Sequence, residues 1–188
     1  RANFMDVVCG TGSTLNETIY TCTACGTLCA FHSSRTIDTW INLESTAYSL
    51  SLFSQGSGFL LVGCAEGIIR AFTPQKLTYT ATLPLPAPLH EQASELEYPA
   101  CYAMCKVRGS ASDPAPKLAA IYADRSLFVW DISDISAVAQ YRSFSFHRAC
   151  VWDIGFVDRR QDSRSQRPGL NAADSNGNDV SGTGGRKL

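Results

Sequence analysis

Three stretches of the chain repeat one local plan, and that repetition restricts the fold more than any other feature. They cover residues 20–31, 61–72 and 119–130. Each reads as an apolar strand, a tight turn and an alternating strand that closes on an aromatic side chain. The closing aromatic steps 41 residues from Phe31 to Phe72 and 58 residues from Phe72 to Trp130. Gly26, Gly67 and Arg125 keep the same place in the three turns. A period of about 40–45 residues is the length of a four-stranded propeller blade. The longer second step is accounted for by two loop insertions, 84–99, rich in proline and acid, and 109–116, where Gly, Ser, Asp and Pro crowd together. Residues of these types interrupt strands for backbone reasons.

Each repeat predicts four strands. The first gives 4–8, 18–22, 27–31 and 37–43, the second 47–52, 59–64, 68–72 and 77–83, the third 101–107, 117–122, 126–131 and 139–144. Val, Ile, Tyr, Phe and Thr are enriched in these runs, as half-buried strands prefer, and helical periodicity is hard to find. The class is therefore all-β: a β-propeller fragment over 1–157, with blades at about 4–43, 47–83 and 100–144 and the first strand of a fourth at 151–157. Residues 158–188 hold Leu170, Val180 and Leu188 as their only large aliphatics. That composition cannot offset chain entropy by burial, so a disordered tail is expected. Closing a ring takes about 4–8 blades. Three blades and a strand would leave open edges and apolar blade faces, which predicts poor solubility without a partner or further residues. The start at Arg1, without methionine, reads as a cut end or an incomplete gene model.

The residues then resemble a particular family. The run Phe128-Val129-Trp130-Asp131 with the turn Ala123-Asp124 is similar to the WD40 signature. More narrowly, Gly63-Cys64-Ala65-Glu66-Gly67-Ile68-Ile69-Arg70-Ala71-Phe72-Thr73-Pro74 resembles one propeller of the mitogen-activated protein kinase-binding protein 1 and WD repeat-containing protein 62 family. Thr82-Leu83-Pro84-Leu85-Pro86, the run from Ile121 to Ser126 and Cys150-Val151-Trp152 extend the match to about residues 4–157. The resemblance implies a WD40 scaffold of stress-activated (c-Jun N-terminal kinase) signalling, cytoplasmic and at the centrosome or spindle pole. It also implies protein partners from the kinase pathway.

Charge narrows the partners further. With 16 basic and 17 acidic residues the net charge is −1, whereas nucleic-acid and anionic-membrane binders usually carry a basic excess. Neither partner is expected. No apolar run approaches the roughly 20 residues of a membrane-spanning helix. Eight cysteines could make four disulfides, but most lie in apolar strand-like runs, where a free thiol packs as a small hydrophobe. A reducing, intracellular setting follows. The sequon Asn16-Glu17-Thr18 carries little weight.

Candidate chemistry is sparse. The WD40 structural tetrad joins His, Ser or Thr, Asp and Trp by side-chain hydrogen bonds. Asp124 and Trp130 fill two of those places, Ala119 and Ala120 stand where the hydroxyl belongs, and His147 would serve the fourth blade. A structural role for His147 outweighs acid–base chemistry. Cys22, Cys25 and Cys29 have a zinc-like spacing but lack a second local pair. Gly10-Thr11-Gly12-Ser13 has no helix or Lys behind it to make a phosphate loop. Glu95 and Glu97 read as solvated loop acids. The stretch 164–172 has the loose pattern of a kinase docking peptide, with Leu170 as its anchor and Ala172 a poor second one. No catalytic residue, metal or cofactor is assigned, and the rival reading, a propeller hydrolase or metal-binding β domain, lacks a convergent constellation. Arg70, Arg125 and Trp152 are candidate contacts of an interaction surface, against the alternative of strand packing or solvated charge. The partner's identity, the face used and the oligomeric state are left open by the sequence.

Overall fold

The computed structural model describes residues 3–10, 18–32, 34, 36–53, 58–86, 98–107, 113–145, 148–149 and 151–156. Twelve strands run through them: β1 (Phe4–Cys9), β2 (Ile19–Thr23), β3 (Thr27–Phe31), β4 (Ile37–Asn42), β5 (Ala47–Phe53), β6 (Phe59–Cys64), β7 (Ile69–Phe72), β8 (Tyr79–Thr82), β9 (Cys101–Val107), β10 (Lys117–Tyr122), β11 (Leu127–Asp131) and β12 (Ala139–Phe144). They form three four-stranded antiparallel meanders, β1–β4, β5–β8 and β9–β12. The all-β propeller reading therefore holds. The largest shift is in β8, which starts at Tyr79 instead of 77. Leu77 takes a φ of 50°, and its amide closes a turn on the Thr73 carbonyl at 2.9 Å.

The turns that aligned in the sequence also align in backbone. Gly26, Gly67 and Arg125 have φ of 79°, 69° and 74°. Glycine adopts this left-handed region freely, whereas Arg125 does so under strain. At Gly26 a side chain is excluded twice over, because a Cβ would lie 2.4 Å from the Ser45 carbonyl oxygen.

Strand alternation divides the side chains between two cores. Tyr20, Cys22, Leu28, Ala30 and Leu43 of the first sheet pack against Leu50, Leu60, Val62, Cys64 and Phe72 of the second. From the other face of the second sheet, Phe53, Leu61, Ile69 and Ala71 meet Leu118, Ala120, Tyr122, Phe128 and Trp130 of the third. Leu60, Leu61 and Val62 are each fully buried and face alternate sides. Removing a side chain of this kind costs about 2–5 kcal/mol. The outer strands β4 and β8 are largely exposed, whereas β5, between its neighbours, is almost wholly covered.

One expectation needs correcting. Residues 151–156 do not form a strand. Among the described residues each inner strand forms a backbone ladder only with the strand that follows it, β1 with β2, β5 with β6 and β9 with β10. The 151–156 segment has no such strand among the described residues, so no ladder forms. The tail 158–188, His147, and residues 87–97 and 109–112 of the two insertions lie outside the described residues.

Candidate interaction surface

Side chains tie the inner strands of neighbouring sheets at both junctions. The Asp6 carboxylate of β1 accepts the Leu50 amide of β5, and the Ser49 hydroxyl of β5 donates to the Cys101 carbonyl of β9 at 3.2 Å. Among the described residues the inner edges have no further strand to pair with, and these groups bond across them instead.

At the start of every inner strand the register slips by one residue. The slips fall between Phe4 and Asp6, between Ala47 and Ser49, and opposite Ile121 and Tyr122, where Ala103 and Cys101 are the partners. Met5, Tyr48 and Tyr102 are the extra residues. A bulge re-aims the side chain it carries, and Tyr48 and Tyr102 belong to neither core cluster. Instead they meet each other edge to face, with centroids 5.1 Å apart. Trp152 then stacks on Tyr102 at 5.1 Å with planes 16° apart. Trp152 stays 72% exposed. Sequence reasoning singled out Trp152 but missed Met5, Tyr48 and Tyr102. The available signal was the large side chain at the second position of each inner strand.

The row lies at the end of the sheets that carries the β2–β3, β6–β7 and β10–β11 turns. The turn amides of Ala24, Ala65 and Ala123 bond to the carbonyls of Asn3, Thr46 and Ala100, just before the inner strands, each at 2.9 Å. Exposed carboxylates of Glu44, Glu66 and Asp124 stand at this end, and Asp153 follows Trp152.

The other residues singled out from sequence do not join the aromatic row. The Arg70 guanidinium donates to the Leu43 carbonyl across the junction of the first two sheets. Arg125 is exposed and donates from Nη1 to the Arg148 carbonyl at 3.1 Å. Asp124 accepts from the Ser126 amide at 3.0 Å and from its hydroxyl, a local turn contact. Trp130 is buried with its ring stacked on Phe128 at 5.7 Å. Its indole nitrogen and the Tyr122 hydroxyl are both buried without a hydrogen bond of normal geometry. Burial raises the Tyr122 phenol, and the Trp130 N–H opposes that rise. A tyrosine thus sits beside the indole, a few residues beyond the expected hydroxyl position.

The described cysteines are free thiols. Cys22 faces the second sheet, while Cys29, flanked by the core residues Leu28 and Ala30, points to the opposite face by alternation. Cys25 is exposed in the turn between them. Burial pushes the Cys22 thiol up to about 12 and the Cys64 thiol up to about 11, and it raises Cys101 as well. Hydroxyls of Thr23 and Thr27 lower Cys25. Among the described residues no three His, Cys, Asp or Glu side chains are grouped to hold a metal ion, and no helix is long and apolar enough to cross a membrane.

Stacked four-stranded meanders, joined through their first strands, make this chain a segment of a WD40-type β-propeller. Solved propellers share the fold: the WD40 repeats of RRP9 match with a TM-score of 0.60 at 14% identity, over 81% of this chain and 42% of that one. No family model matches. Mouse mitogen-activated protein kinase-binding protein 1 is 32% identical over 85% of the chain, and pig WD repeat-containing protein 62 is 30% identical over 88%. The family resemblance read from the sequence is thus shown across most of the chain. The chain spans about a tenth (11%) of the length of these relatives.

Proposed function

We propose that this segment is a non-catalytic protein-interaction module of a kinase-pathway scaffold. It offers rigid sheet ends and turns to protein partners and brings no reacting group of its own. The observation that carries the reading is the resemblance to a protein named for binding a mitogen-activated protein kinase. At 85% of the chain, that match is too extensive to omit any of the three sheets. The finer reading is a scaffold of c-Jun N-terminal kinase signalling that works in the cytoplasm and at the centrosome or spindle pole. The near-balanced charge fits protein partners better than nucleic acid or anionic membrane.

The test is capture of purified c-Jun N-terminal kinase by the immobilised protein, beside an unrelated kinase. Selective capture supports the reading; equal capture of both, or of neither, contradicts it. A fluorescent fusion followed through mitosis tests location: enrichment at spindle poles is expected, and uniform signal throughout the cell contradicts that part.

A further inference from the structure

Tyr48 and Tyr102 are large side chains that the bulges in their strands turn away from the cores, and Trp152 continues their row. A buried aromatic residue contributes by packing between sheets, as Phe128 and Trp130 do. Tyr48 and Tyr102 are half-buried, and Trp152 is more exposed than any other large hydrophobic residue described. Because Trp152 stacks on Tyr102, one of its faces is occupied. Its exposure leaves the indole open to a partner.

The electrostatics of this end favour one kind of occupant. Glu44, Glu66, Asp124 and Asp153 are exposed there, against Arg125, Arg148 and the half-buried Arg70, whose guanidinium is taken up by the Leu43 carbonyl. Arg125 is already held by the Arg148 carbonyl. Aromatic faces carry negative potential and attract cations, indole most strongly. Carboxylates around them add to the attraction and steer approach. Neutral or acidic peptides gain neither effect.

We propose that Tyr48, Tyr102 and Trp152 form a docking surface for arginine side chains of an extended segment in a partner protein. Guanidinium planes stack on the open face of Trp152 and along the row, while the surrounding carboxylates hold their charge. The proposal rests on the interaction-module reading above and supplies the chemistry of the partner.

A labelled peptide of alternating alanine and arginine, about ten residues long, is the probe, and one of alternating alanine and glutamate is its control. Fluorescence anisotropy is read at elevated salt, which screens diffuse attraction between exposed charges. The arginine peptide is expected to bind at least about tenfold more tightly than the glutamate peptide. Trp152→Ala is expected to weaken it about tenfold, and Trp152→Phe by no more than about threefold. Trp152 is exposed, so neither change should unfold the protein; Tyr102→Ala, with folding checked by circular dichroism, is the second variant. Equal binding of the two peptides, or unchanged arginine binding in Trp152→Ala, would overturn the proposal. The probe is synthetic, so failure to capture the kinase would remove the pathway reading and leave this result standing.

Discussion

The Asp6 carboxylate accepts the Leu50 amide proton at 2.7 Å and so fastens the first inner strand to the second. Asp6 Oδ1 also accepts from the Val7 amide at 2.7 Å. Without the carboxylate, a part-buried amide on the edge of β5 loses its partner. Asp6→Ala is expected to destabilise the protein by about 1–3 kcal/mol. Asp6→Asn, which keeps an acceptor oxygen, should cost less. Urea midpoints for the two variants check both statements.

Gly63 marks the junction of the second and third sheets. A Cβ there would lie 2.4 Å from Ser49 Oγ and 2.9 Å from both the carbonyl oxygen and the Sγ of Cys101. Gly63→Ala therefore forces β5 and β9 apart, with an expected cost of about 1–3 kcal/mol. Adding Ser49→Gly removes the nearest clash but leaves the Cys101 backbone in place. Thermal unfolding of the double variant should show partial recovery.

Burial raises Cys22 and Cys64 to about 12 and 11, above the roughly 8.5 of an exposed thiol. The folded state therefore holds these protons more tightly than the unfolded state. Their contribution to stability is complete below the unfolded value. It falls as pH rises above that value and is lost once pH passes the folded values. Urea midpoints should drop as pH rises from about 8.5 up to the folded Cys22 value of about 12, and Cys64→Ala should flatten part of the drop. At neutral pH a thiol reagent should reach Cys25 well before Cys22, Cys64 or Cys101. Thr23→Val should move the Cys25 rate profile to higher pH, since its hydroxyl lies 3.1 Å from the sulfur.

The face of the first sheet turned away from the second carries a shallow apolar cleft of about 780 Å³. Phe4, Val7, Ile19 and Phe31 line it, and Phe4 and Val7 are 68% and 59% exposed. By register, Phe31 holds the place of Phe72, which is buried against the first sheet. Val7→Asp is expected to lower binding of an apolar dye and reduce self-association of the purified chain, with little loss of stability. Unchanged light scattering would contradict this.

Much of the fold was legible because its signals are local. The strand–turn–strand unit with Gly26, Gly67 and Arg125 fixed the repeat, and the apolar run 59–64 marked the strand that the structure forms as β6. The interaction row was harder to see. Strict alternation puts Tyr48 on the same face as Leu50 and Leu52, and only the bulge moves it away. A bulge depends on pairing with β6, which a single strand does not reveal. Arg70 looked like a surface cation, yet its Leu43 partner lies in another repeat. Residues 151–156 resemble an inner strand, but a strand also needs a neighbour.

Amide hydrogen exchange, resolved by strand, tests most directly whether three meanders pack through their inner strands. The account predicts slowest exchange in β6, β7, β10 and β11, fast exchange in β4, β8 and β12, and a protected Leu50 amide that becomes labile in Asp6→Ala. Outer strands as protected as the middle ones, or a Leu50 amide exchanging freely in the parent protein, would contradict it.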